Sequence, residues 1–143
     1  MSKPRFSIQR YPYDDSAWHM GILVSDGILV GYQDFYVYEK EVRELGTKLA
    51  AFPTGSQNEV VFEIGDEHNE KWAHYVRLRF FVRDSSGHTA LAIKFIRNGD
   101  VMAKAVSEFC QPIDVASLNR LGSSIRDCRW EIEDAVDHEL HVS

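Results

Sequence analysis

Hydrophobic and polar positions along this chain alternate with a period of two over most of its length, and the period changes in only two places. Residues 6–10 (FSIQR) alternate and predict a first strand. Two apolar runs follow in WHMGILVSDGILVGYQDFYVY, residues 18–38, separated by Ser25, Asp26 and Gly27. Asp-Gly between β-rich runs predicts a hairpin, because both residues tolerate positive φ. Pro12 with Asp14 and Asp15 marks a turn before that hairpin.

Further along, Val60, Phe62 and Ile64 alternate with Val61 and Glu63 and predict a strand with one apolar face. HYVRLRFFVR, residues 74–83, sets Val76, Leu78, Phe80 and Val82 on one face and Tyr75, Arg77, Arg79, Phe81 and Arg83 on the other. HTALAIKFIR, residues 88–97, repeats the arrangement with Leu91, Ile93 and Phe95. After a tight turn at Asn98-Gly99-Asp100, residues 101–110 read as a strand with Ala103, Ala105 and Phe109 inward, although VMAKAVSEF is equally helical by propensity. A last short strand is expected through Trp130 and Ile132, followed by an acidic tail.

The two changes of period predict helices. Val42, Leu45, Leu49 and Phe52 are spaced by three, four and three, and Glu39, Glu41 and Glu44 stand early, where carboxylates favour the positive end of the helix dipole. Pro53-Thr54-Gly55-Ser56 ends that element, and Gly46 inside it costs up to ~1 kcal/mol of helix propensity. In PIDVASLNRLGSSI, residues 112–125, Asp114 is a natural N-cap. Ile113 and Leu118 flank it as a hydrophobic staple, and Val115, Leu118, Leu121 and Ile125 form the buried stripe. The order is β-β-β-α-β-β-β-β-α with a closing strand. This is one α+β domain: an antiparallel sheet of about six to eight strands with two helices packed on one face. The other face keeps charge, from Glu59, Glu63, Arg77, Arg79, Lys94, Lys104 and Glu108.

Length supports a single domain with its own core, since the chain has 143 residues. A formal net charge of −6 argues against sequence-independent binding to nucleic acid or to an anionic membrane, both of which need clustered Lys and Arg. No apolar run approaches the ~20 residues that span a bilayer, and MSKPRFSIQR has no signal-peptide core. A cytoplasmic protein is expected, with Cys110 and Cys128 as buried, reduced thiols.

Several stretches carry chemical residue types. RDSSGH, residues 83–88, holds Asp, Ser and His within a few positions, yet Asp84-Ser85-Ser86-Gly87 is the order a type I turn prefers. Catalytic triads converge from separate places on a fold, so a turn is expected here. HELH at residues 138–141 spaces its histidines by three, unlike the four of a zincin helix, and a frayed, solvated pair is expected. GDEHNEKWAH, residues 65–74, gathers Asp66, Glu67, His68, Glu70 and His74, which reads as an exposed polar loop with charged residues in solvent. No phosphate loop or dinucleotide fingerprint occurs, and no cofactor is expected. Alternate arginines Arg77, Arg79 and Arg83 project together and would suit an anion, but cross-strand pairing with Glu59 and Glu63 on a solvent-facing sheet is the expected role. Tyr32, Tyr36, Tyr38 and Trp18 supply aromatic surface suited to an interface.

GYQDFYVYEKEVRELGTKLAAFP (residues 31–53), VRLRFFVRDSSGHTALAIKF (76–95) and PIDVASLNRLGSSI resemble, in their order of apolar positions, the WapI-like immunity proteins and related small bacterial domains. That resemblance implies an α+β domain without established catalytic residues. It also implies a role in binding and neutralising a toxin domain. It carries over no site residue. The expected function is therefore non-enzymatic binding of a basic toxin domain by an acidic surface. The alternative is a small-molecule-binding protein or modest enzyme with Arg77, Arg79, His74 and His88 around a pocket. A homodimer through an unpaired strand edge fits either.

Overall fold

The computed structural model describes residues 3–11, 16–55, 57–100 and 102–142. Within them run β1 (Arg5–Arg10), β2 (Trp18–Ser25), β3 (Val30–Val37), α1 (Glu39–Ala50), β4 (Glu59–Ile64), β5 (His74–Val82), β6 (Thr89–Arg97), β7 (Ala105–Pro112), α2 (Val115–Asp127) and β8 (Ala135–Glu139). The element order follows the alternation. The turn expected at Pro12, Asp14 and Asp15 lies outside the described residues, as do Ser56 and Val101.

The single sheet expected from the hairpins is corrected. Among the described residues the strands form two four-stranded antiparallel sheets, ordered β3-β2-β1-β8 and β4-β5-β6-β7. Alternation marks a buried face but not the strand that pairs, and the break falls at α1. The first sheet is completed from the far end of the chain, where β8 pairs with β1 from Arg5↔Glu139 to Gln9↔Ala135. The sheets meet mainly through β3, which lies against β4, β5, β6 and β7 and must therefore cross them at a large angle.

The inward faces follow the register. Phe6 faces Val24, Ile8 faces Ile22 and Met20 faces Phe35 in the first sheet; Leu78 faces both Phe62 and Ile93 in the second. These side chains and the helix stripe of Val42, Leu45, Leu49, Leu118, Leu121 and Ile125 form one cluster of buried residues. Burying each large aliphatic or aromatic side chain is worth about 1.5–3 kcal/mol, which is the main cohesion of the fold. The helices pack chiefly on each other, with α1 also against β4 and α2 against β8, so they tie the two sheets together. Gly46 is explained by that crossing: a Cβ there would lie 2.5 Å from the Arg126 backbone nitrogen. Its propensity cost is accepted because no other residue lets the helices approach so closely.

Asp114 caps α2 as expected, its Oδ1 accepting from the Ser117 amide at 2.7 Å, and Ile113 and Leu118 are both buried. Residues 105–112 are a strand, not a helix; Ala103 lies before it, and Ser107, Phe109 and Gln111 are its half-buried inward positions. The closing strand is corrected from Trp130 and Ile132 to Ala135–Glu139. Trp130 is buried in the loop before it, and Ile132 is exposed. HELH is likewise not a frayed tail: His138 belongs to β8, where its Nε2 lies 2.8 Å from Ser124 Oγ, and Leu140 is buried with its amide bonded to Pro4. No helix among the described residues is long and apolar enough to cross a membrane.

Candidate functional site

The expected site residues do not come together. Arg77 and Arg79 lie on the outward face of the second sheet, while His74 opens β5 and His88 sits in the loop beyond its other end. At a strand rise of about 3.3 Å per residue the two histidines are on the order of 25 Å or more apart. The loop at His88 is the turn that its sequence predicts. Gly87 N donates to Asp84 O at 3.2 Å, and Asp84 Oδ1 accepts from the amides of Ser86 and His88. Asp84 Oδ2 takes His88 Nδ1 at 2.7 Å, so the carboxylate closes its own loop. These bonds hold its carboxyl below the usual range.

On the second sheet's outward face nearly every charge has a partner close by. Arg79 is hydrogen-bonded to Glu59, its guanidinium 4.2 Å from the Phe81 ring centre. Arg77 lies 3.4 Å from Glu67 and 3.8 Å from Glu108, and Lys94 reaches the same two carboxylates at 3.5 and 3.8 Å. Glu67 comes from the polar loop, which folds over the sheet and is pinned by Asn98 donating to the carbonyls of Ala73 and Trp72. The loop is therefore not wholly solvated, and beneath it Tyr75 is buried with its hydroxyl 2.5 Å from Glu63 Oε2. Burial first, then that bond to Glu63, push the Tyr75 phenol well above its ordinary range. Its acids and histidines separate: Asp66 bonds the His68 amide, Glu70 pairs with Lys104, and His74 turns toward Asp34. No cluster of three or more metal-ligating side chains forms among the described residues.

The outward face of the first sheet differs. β3 alternates strictly, with Gly31, Gln33, Phe35 and Val37 inward and Tyr32, Asp34 and Tyr36 outward. The hairpin register puts His19 of β2 beside Tyr36, and Gly21 beside Asp34. The His19 ring stacks on Tyr36 with centres 4.7 Å apart and an interplanar angle of 18°, and the Tyr11 ring lies tilted against the same imidazole, also at 4.7 Å. The Tyr11 and Tyr32 hydroxyls are hydrogen-bonded above Gly21, where a Cβ would come within 2.6 Å of the Tyr32 oxygen. Glycine leaves room for that pair. Burial, then the bond to Tyr11, raise the Tyr32 phenol above its ordinary range.

Asp34 is the polar centre of this face. His19 Nε2 donates to its Oδ2 at 2.8 Å, and His74 Nε2 lies 3.7 Å from its Oδ1, so one carboxylate links both strands of the hairpin to the second sheet. Burial pushes the Asp34 carboxyl up, but the His19 bond and the charge of His74 outweigh it and hold the carboxyl below its usual range. Sequence reading marked Tyr32, Tyr36 and Tyr38 but missed His19 and Asp34. Reading across the Asp26-Gly27 hairpin, register by register, would have found both.

Beyond Tyr36 the face ends in an open groove of about 350 Å³ between the end of β3, the start of α1 and the end of β4. Tyr36, Tyr38, Glu41, Glu63, Ile64 and Trp72 are among its lining residues. The three aromatic residues are 59%, 58% and 48% exposed, respectively for Tyr36, Tyr38 and Trp72. Trp18, expected with them, is half-buried and packs toward Trp130, their rings 6.4 Å apart. Together with exposed Ile28, Leu29 and Val30 at the hairpin tip, β3 presents large apolar side chains on both sides of Asp34. Such an arrangement can bind another surface. In comparison with known proteins, no family model, curated protein or solved structure matches this chain.

Proposed function

We propose that this chain is a non-enzymatic binding protein that docks a basic protein partner on the outward face of β3, in the manner of an immunity protein that neutralises a toxin domain. The observation that carries this reading is the exposed row Ile28, Leu29, Val30, Tyr32, Tyr36 and Tyr38, with Asp34 standing between Tyr32 and Tyr36. Monomeric soluble proteins seldom gather so many exposed apolar and aromatic side chains along one strand, and tyrosine is enriched at interface centres. The net charge of −6 and the carboxylates Asp34, Glu41 and Glu63 around the strip favour a basic partner and speed its encounter. A cytoplasmic, bacterial setting accords with the sequence resemblance.

The test is capture from host lysate at several salt concentrations, with three immobilised proteins: wild type, Tyr36→Ala with Tyr38→Ser, and Arg77→Ala with Arg79→Ala. Serine at position 38 is a better helix cap than tyrosine, so α1 is protected. Expected is one basic polypeptide retained by wild type and by the arginine variant but lost from the tyrosine variant. Equal retention by all three, or retention by none, rejects the reading.

A further inference from the structure

We propose that the groove at the end of β3 is a socket for one arginine side chain of the partner. This rests on the docking reading above and specifies its recognition chemistry. Two kinds of wall converge there. Tyr36, Tyr38 and Trp72 offer half-exposed aromatic rings, and Glu41 and Glu63 offer carboxylates. Neither carboxylate forms an ion pair among the described residues. Glu63 stands opposite Arg77 in the strand register, yet Arg77 turns to Glu67 and Glu108. Glu63 instead accepts the Tyr75 hydroxyl on Oε2. The face next door neutralises its acids within itself; the groove does not.

Aromatic faces attract a cation through the ring quadrupole, and a carboxylate beside them adds charge. Among cations, a guanidinium fits this combination best. It is planar and weakly hydrated, it stacks on indole and phenol rings, and its fork can bond a carboxylate with two N–H groups. A compact, strongly hydrated ammonium gains less from the rings. The groove's volume of about 350 Å³ admits the head and its methylene stem, and its open side continues into the β3 face from which a partner would deliver the residue. The Trp72 backbone is held by Asn98 Nδ2, which donates to its carbonyl at 2.8 Å.

The probe is N-acetyl-arginine amide, titrated into the full protein while the Trp72 indole resonance is followed by NMR and assigned with Trp72→Phe. N-acetyl-citrulline amide, neutral and of the same shape, and N-acetyl-lysine amide are the comparisons. Expected is a saturable shift of the Trp72 signal with arginine, at least about tenfold weaker binding with citrulline, and a similar weakening in Glu41→Gln with Glu63→Gln. No saturable shift with arginine, or an equal response to citrulline, overturns the socket; an equal response to lysine overturns the choice of arginine. The two readings fail separately. Partner capture lost with Tyr36→Ala but no arginine response leaves docking intact without a socket. An arginine response with no partner captured leaves the socket and removes the docking.

Discussion

The two sheets turn opposite kinds of surface outward. On the second, Arg77, Arg79 and Lys94 stand among Glu59, Glu67 and Glu108, each cation within 4 Å of a carboxylate. On the first, β3 carries exposed tyrosines around one partly sheltered carboxylate, and its apolar strip has nothing laid over it among the described residues. The charged face is conspicuous in sequence, but its cations and carboxylates pair with each other, although Arg77 Nε is buried without a hydrogen-bond partner. The aromatic face leaves its binding capacity unspent. A row of arginines is thus a poor sign of a ligand site when acids from neighbouring strands and a covering loop reach it, whereas exposed aromatic area has no such internal answer.

The largest effect expected from breaking this contrast is on binding. Tyr36→Ala with Tyr38→Ser removes two central aromatic groups, and truncation of such residues typically costs 2 kcal/mol or more, so partner affinity should fall by roughly 30-fold or more in a calorimetric titration. Arg77→Ala with Arg79→Ala should leave the same affinity within about twofold, because those residues lie off the contact. If the arginine variant loses affinity and the tyrosine variant keeps it, the two faces have been assigned the wrong way round.

Stability should respond in the opposite sense and less strongly. Arg77 is partly sheltered and bonded to two carboxylates, while Arg79 is more exposed and holds one. Urea denaturation should show Arg77→Ala destabilising by up to about 1 kcal/mol after solvent screening, and Arg79→Ala by less. A loss of several kcal/mol at Arg77 would mean that the charged face is a buried network and not a solvated one.

Much of this was legible beforehand, and the limits have physical causes. Period-two alternation located β4, β5 and β6, and the Asp114 cap located α2, because those signals are local. The division into two sheets was not legible, since β8 pairs with β1 across more than a hundred residues and no local pattern encodes that choice. Gly46 read as a weakness because its reason, the Arg126 backbone of the other helix, is a tertiary contact. At the site, the tyrosines showed themselves by type, but His19 and Asp34 become meaningful only as neighbours across the hairpin. His74 stands beside Asp34 on the aromatic face, a neighbour across the two sheets that no local pattern encodes.

The charged face can also be marked without changing the sequence of the aromatic one. Cys110 is exposed and lies opposite Ala92, on the outward side that Arg79 shares. Cys128 is buried, and burial first, then Glu133, push its thiol up to about 11. Iodoacetamide at neutral pH should therefore add once, at Cys110, as read by peptide mass spectrometry. The adduct should leave partner affinity unchanged. Loss of affinity on modification would place the second sheet inside the interface.

The smallest effect concerns acid, and it separates the sheltered carboxylate at the centre of the aromatic face from the many on the charged one. Asp34 titrates below its ordinary range, since the His19 bond and the charge of His74 outweigh its burial. A carboxyl whose folded pKa is depressed contributes stability that is fully present above its unfolded value, about 4, and is lost as pH falls through the folded one. Asp34→Asn keeps the shape but has no proton to gain. Denaturant midpoints compared from pH 6 down to pH 2.5 should show wild type ahead of Asp34→Asn by a constant margin above about pH 4, with the margin closing below it. A margin that persists unchanged to the lowest pH would mean that Asp34 is held by shape alone, and the link from β3 through His74 to the second sheet would not be electrostatic.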